Sequence, residues 1–357
     1  MRRSHRVIAL LFVAGVLAAG CHGDPGTIKA EPAGPAPAVP RWGSLGCTGG
    51  TLTTGQHVFQ GRGFLVKTPD RAGRDPQDRG PAPLILDLHG LNSSGFEQAI
   101  YGRLADAGAA RGFTVVEPDS APGRTGWKLP GMAEGDADIA YVGALLDHLE
   151  KGLCIDRRRE FAAGFSNGAG LATALVCGLG GRLAGVAAVS GLNLARPCPR
   201  PAPTTIVAFH GTADPVVPYQ GGEPFGGNRD RIPSWMLPAD GSFDLPSVSA
   251  SATAWGRALS CDRTASAEPA AGVRRHSWTG CRRDARVDLY TVSGAGHAWP
   301  GSFPVGAGPS TKKIDATAVT LDAFASGAPR WRGHREYPYP SVSGVGGDRA
   351  PYTAATP

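Results

Sequence analysis

EFAAGFSNGAGLATALV, residues 160–176, is the stretch on which the fold turns. EFAAGF reads as a strand, and the small apolar residues after Asn167 read as a helix leaving it. Ser166 stands at the junction, with Gly164 and Gly168 two places to either side. This is the form of a nucleophile elbow. The serine backbone is strained there, and side chains at the flanking glycine positions would strike neighbouring elements. The pattern alone is weak, because a chain with 52 glycines in 357 residues produces such matches by chance. Its weight depends on what surrounds it.

Upstream, PLILDLHG (83–90) is a near-continuous apolar run ending in turn residues, as a buried parallel strand should be. FEQAIYGRLADAGAARG (96–112) reads as one helix with Ile100, Leu104 and Ala107 on a face and Gly112 as its stop. FTVVEPD (113–119) is the next strand. DADIAYVGALLDHLEKG (136–152) is a helix with an acidic first turn and an apolar stripe through Ile139, Val142 and Leu146. Downstream, GVAAVSG (185–191), TTIVAFHG (204–211) and VDLYTVSG (287–294) read as strands. PSVSASATAWGRALS (246–260) and TKKIDATAVTLDAFAS (311–326) read as helices. Such alternation implies an α/β fold with a mostly parallel sheet, helices on both faces and chemistry at the strands' carboxyl ends. No internal repeat is evident. Residues 220–245 form a long Gly- and Pro-rich excursion, a length more often functional than idle.

A serine hydroxyl needs a base, and the base needs a carboxylate to fix its tautomer. In this type of fold they follow in the order Ser, acid, His, each just past a strand. Asp214 lies in IVAFHGTADPVVPY (206–219) and His297 in VDLYTVSGAGHAWPG (287–301), which meets that order. Of nine histidines, only His276, His297 and His334 follow Asp214; His276 is read in a charged loop and His334 in the tail. His210, ending a strand, is read as ordering the acid loop. Asp240 and Asp244 belong to the excursion. The oxyanion donors are expected to be the N–H groups of Asn167, after the nucleophile, and Leu91, in LDLHGLNSSG (86–95). Trp127, Trp235 and Trp299 are candidates to line an acyl pocket, with core packing the equal alternative for each.

GFSNGAG, HGTADPVVPYQGG, the pair Cys261 and Cys281 with WTGC, and GAGHAWPG together resemble the exported poly(3-hydroxybutyrate) depolymerase and feruloyl esterase family, including the LpqC-type lipoproteins. The likeness runs from about Cys47 to Ser326. It implies an α/β-hydrolase with the triad Ser166, Asp214 and His297, no cofactor, and a preference for esters of hydroxy acids or hydroxycinnamic acids. Many such depolymerases carry a cysteine after the His-Gly of the oxyanion loop; here Leu91 follows. No further domain for gripping solid polymer is expected after the catalytic one, so short oligomers or small esters are the expected substrates. A neutral imidazole base implies a rate rising with pH through roughly 6 to 7.5.

Arg2, Arg3 and Arg6 followed by an apolar run from Val7 to Gly20 read as a signal peptide, the run being too short to span a bilayer. It ends in LAAGC, which resembles a lipoprotein signal with Cys21 as the lipidated residue, although Ala18 stands where such signals usually have Leu. Residues 21–45 suit a Pro/Ala/Gly-rich tether, 46–328 a single catalytic domain, and 329–357 a loosely ordered tail. The formal charge of +6 becomes +3 without the signal arginines, 33 basic residues against 30 acidic, and the arginines are scattered. Nothing there argues for nucleic acid. Six further cysteines suggest disulfides in an exported chain, and no C-x-x-C spacing suggests a metal. Of the fifteen pairings that six cysteines allow, Cys261–Cys281 and Cys177–Cys198 are favoured as local clips, leaving Cys47–Cys154. The chain is therefore expected to be a monomeric, lipid-anchored serine esterase of the cell surface. An acyltransferase using the same triad, or a binding protein on a dead hydrolase scaffold, are the alternatives.

Overall fold

The strands of the centre are apolar on both sides because both of their faces are covered. The computed structural model describes residues 39–69, 80–237, 243–304 and 306–326. The signal peptide, Cys21, most of the tether, the tail, Asp240 and His334 lie outside them. Ten strands form one sheet: β1 (Gly55–Phe59), β2 (Arg62–Lys67), β3 (Ala82–Leu88), β4 (Thr114–Pro118), β5 (Ile155–Phe165), β6 (Gly185–Val189), β7 (Thr205–Gly211), β8 (Arg263–Ala270), β9 (Val273–Thr279) and β10 (Val287–Val292). Their order is β1-β2-β4-β3-β5-β6-β7-β10-β9-β8. The middle six, β4 to β10, are parallel. An antiparallel hairpin flanks each side.

Along β3 the side chains alternate between two cores. Leu84, Leu86 and Leu88 pack with α3 (Ala137–Gly152), α4 (Asn167–Gly178) and α5 (Val248–Ala258), whereas Ile85 packs with α2 (Leu104–Ala110) and α6 (Ala316–Ser326). β5 does the same, with Ala162 on one side and Phe161 and Ala163 on the other. Strand side chains point alternately to the two faces, so a doubly covered strand must be apolar throughout. The expected α/β-hydrolase architecture of a mostly parallel sheet between helices is what these residues form.

Three local expectations need correction. The segment 96–112 is two helices, α1 (Gly95–Gly102) and α2, broken at Arg103 in the left-handed region (φ 52°). The break turns α1 so that Ile100 is exposed while Leu104 is fully buried. His276 is on β9, not in a loop, and its Nδ1 lies 2.8 Å from Ser266 Oγ. The hairpins β1–β2 and β8–β9 add to the expected strands; Gln60 and Gly61 both take positive φ, as a two-residue hairpin turn requires. The structure joins Cys47 to Cys154, Cys177 to Cys198 and Cys261 to Cys281.

Candidate active site

β5 ends at Phe165, α4 begins at Asn167, and Ser166 between them has φ 54° and ψ −120°. That conformation is costly for a residue with a side chain and persists only where the surroundings impose it. The two motif glycines show how. A methyl on Gly164 would strike the Gly168 carbonyl and Ala169 N at the start of α4, and one on Gly168 would strike the carbonyls of Leu88 and His89. The elbow therefore needs bare backbone on both sides, and Ser166 N is held by Val189 O at 2.8 Å.

The end of β7 and the loop after β10 bring the acid and base together. His297 Nδ1 lies 2.8 Å from Asp214 Oδ2, with both residues buried. Asp214 Oδ1 accepts from the N–H groups of Val216 (2.8 Å) and Val217 (2.9 Å). His210 Nε2 lies 3.2 Å from the same Oδ2 and 2.8 Å from Val217 O, so it orders this turn. Burial alone would raise the Asp214 carboxyl, but hydrogen bonds from His210 and His297 outweigh it and hold the group well below the usual carboxylate range. The His297 ring packs on Phe165, the residue before the serine, with centroids 4.8 Å apart. Among the described residues the Ser166 hydroxyl makes no hydrogen bond; in unliganded enzymes that contact is often long and tightens around substrate.

Gly90 lies against the elbow, its hydrogen facing Phe165 and Ser166. Five hydrogen bonds from residues 119–127, the loop after β4, clamp the chain from His89 to Gly95. Asp119 Oδ1 takes Gly95 N–H (2.8 Å), Ser120 N–H donates to His89 Nε2 (3.1 Å), and Asn92 N–H donates to Thr125 O (2.7 Å). Thr125 Oγ1 donates to Asn92 Oδ1 (2.8 Å), and Trp127 Nε1–H donates to His89 O (2.9 Å). The loop is anchored in turn by fully buried Asp138, which takes Arg124 (3.0 and 3.1 Å) and Lys128 N–H (2.7 Å). Sequence reasoning missed this clamp, because its contacts link polar groups far apart in the chain. Neither Leu91 N–H nor Asn167 N–H donates to another described residue.

The three tryptophans separate. Trp127 is fully buried: its N–H donates to Asn167 Oδ1 (2.6 Å), and its carbonyl accepts from Asn167 Nδ2 (2.9 Å). Trp299 is buried too, with Nε1 donating to Thr317 Oγ1 at 3.0 Å. Enclosed rings with engaged N–H groups offer no surface to a ligand, which corrects their candidacy as pocket lining. Trp235 is half-buried, and the space over Gly126 is filled by Trp235, Leu91 and Asn167 together. The excursion that carries it is closed at its base by Gly222 pairing with Leu245. Among the described residues no cluster of His, Cys, Asp and Glu could hold a metal, and no helix is long and apolar enough to cross a membrane.

The family described as phospholipase/carboxylesterase matches residues 134–226, which include Ser166 and Asp214. Feruloyl esterase C of Emericella nidulans is 32% identical over 179 residues, covering 48% of this chain and 62% of that protein. A protein named probable feruloyl esterase C from Aspergillus niger is 30% identical over 195 residues, covering 52% of this chain and 68% of that protein. The chain belongs to the esterase family of the α/β-hydrolases. The acetyl xylan esterase from Aspergillus awamori shares this family's fold with the chain at 12% identity, a TM-score of 0.54, and coverage of 77% of this chain and 99% of that one. The match spans less than two thirds of the Emericella esterase's length.

Proposed function

We propose that this chain is an exported serine esterase that cleaves carboxylic esters through an acyl-enzyme on Ser166. The observation that carries the reading is the buried Asp214–His297 pair, 2.8 Å apart, packed against the strained elbow that presents the serine. His297 takes the Ser166 proton as the oxygen attacks the ester carbonyl, and Asp214 holds the ring with its proton on Nδ1. The N–H groups of Leu91 and Asn167 receive the developing oxyanion. His297 returns the proton to the leaving alcohol, and water releases the acid by the same route.

Relatives named for feruloyl esters support hydroxycinnamoyl esters as substrates, with esters of short hydroxy acids as the second class. Trp235 is the side chain expected to meet an acyl group, a reading supported by its position over Gly126 with Leu91 and Asn167. Three disulfides suit an oxidising compartment, in keeping with export, a Cys21 lipid anchor and a monomer at the cell surface. The test is a fluorophosphonate probe followed by peptide mapping, with a screen of p-nitrophenyl, feruloyl and 3-hydroxybutyrate esters. Labelling at Ser166 and hydrolysis lost in Ser166→Ala are expected. No label at Ser166 sinks the reading.

A further inference from the structure

His89 is fully buried directly before Gly90, on the loop expected to supply an oxyanion donor. Its two ring nitrogens have fixed roles. Nε2 accepts the Ser120 N–H at 3.1 Å, so the proton of the neutral ring is on Nδ1, and Nδ1 lies 2.7 Å from Gly90 O. Burial favours the neutral ring: it lowers the His89 pKa against the Gly90 carbonyl and the more distant carboxylates of Asp119, Glu97 and Asp138. The Gly90 carbonyl belongs to the same planar, trans peptide as the Leu91 N–H, and the two point in opposite directions. A carbonyl drawn to the His89 ring therefore turns the Leu91 N–H away from that ring. The preceding peptide is fixed as well, because the His89 carbonyl accepts Trp127 Nε1–H.

We propose that His89 is a positioning residue of the oxyanion hole: by holding the Gly90 carbonyl it sets the Leu91 N–H toward the carbonyl oxygen of the ester that Ser166 attacks. Trp127 assists from both sides, through its indole on the His89 carbonyl and its backbone on the Asn167 side chain. This rests on the esterase reading above, with Leu91 and Asn167 as donors. The hydrogen bonds of His89 go to Gly90, Ser120 and Trp127, so it acts through the peptide next to it.

Two substitutions divide the ring's functions. His89→Asn keeps an N–H donor near the place of Nδ1, while His89→Gln keeps an acceptor near the place of Nε2. The measurements are kcat and KM on p-nitrophenyl acetate, and affinity for an aryl boronic acid, which forms a tetrahedral adduct on an active serine. His89→Asn is expected to stay within about fivefold of the parent in kcat. His89→Gln should lose on the order of 10²-fold in kcat and in boronate affinity, with KM nearly unchanged. Equal kcat in the two variants, the reverse ranking, or a loss confined to KM overturns the inference. If melting curves show that the His89 variants are unfolded, Trp127→Phe gives the same reading. It keeps an aromatic ring in the core and loses the N–H on His89 O, so kcat and boronate affinity should fall together; an unchanged kcat overturns the inference. A parent protein that hydrolyses no ester overturns the esterase reading and this inference with it. An active parent with the wrong ranking overturns this inference alone.

Discussion

β3 and β4 run parallel with Leu86 opposite Val116, which places Asp87 and Glu117 one residue further along neighbouring strands. Both are buried, and Asp87 Oδ2 and Glu117 Oε1 have no hydrogen-bond partner among the described residues. Burial, with the nearby Asp87 adding to it, pushes the Glu117 carboxyl from 4.5 up to about 9. Burial pushes Asp87 up to about 7 against a hydrogen bond from Gln98. The folded chain thus keeps a proton on Glu117 where the unfolded chain has released it. The stability this contributes is complete below about pH 4.5 and is lost as pH climbs toward about 9, with a slope near 1.4 kcal/mol per pH unit. From pH 6 to pH 8 Glu117 alone should cost about 3 kcal/mol. Glu117→Gln has no proton to hold, so its stability should fall less over that interval. Between those two pH values the melting temperature of the parent should drop further than that of Glu117→Gln, by roughly 5 °C or more for a domain of this size. Calorimetry of both proteins at pH 6, 7 and 8, at constant ionic strength, makes the comparison. Parallel curves would refute the reasoning, because they would mean that Glu117 is already ionised in the folded protein.

Ser166→Ala should lower kcat on p-nitrophenyl esters by roughly 10⁴-fold or more while leaving the melting temperature near that of the parent. Asp214→Asn should cost roughly 10⁴-fold in kcat, because an amide at Oδ2 no longer holds the His297 proton on Nδ1; steady-state kinetics with a circular dichroism check on folding will read it. Gly168→Ala drives a methyl into the Leu88 and His89 carbonyls, so a loss of at least about 2 kcal/mol in urea unfolding is expected. Replacing Cys47 and Cys154 by serine opens a loop spanning 107 residues and should cost about 4–5 kcal/mol, read as a lower denaturation midpoint.

The parallel core was legible in the sequence because each central strand is a short apolar run and each helix after it carries a stripe. The strands before Ser166, Asp214 and His297 were legible too, and the structure ends β5, β7 and β10 one, three and five residues ahead of them. The flanking hairpins were not. Every residue of β8 but the last is exposed, so RTASAEPA carries no alternation of apolar and polar positions. The break at Arg103 was hidden because left-handed backbone at a non-glycine residue leaves no mark in composition. Asp87 and Glu117 did leave one, a carboxylate inside each of two otherwise apolar strands. The clamp from residues 119–127 left none, since it consists of backbone groups and single polar side chains meeting across the fold.

The Cys47–Cys154 bond closes a covalent ring that contains both the His89–Gly95 segment and the loop that clamps it, and the ring ends one residue before β5 begins. A protease that cuts the chain once anywhere inside that ring, as enzymes outside a cell will, produces two pieces that cannot diffuse apart. The cut is reduced to a local opening at the nick. The loop opposite Ser166 stays on the same molecule as the serine, and refolding around the nick is unimolecular.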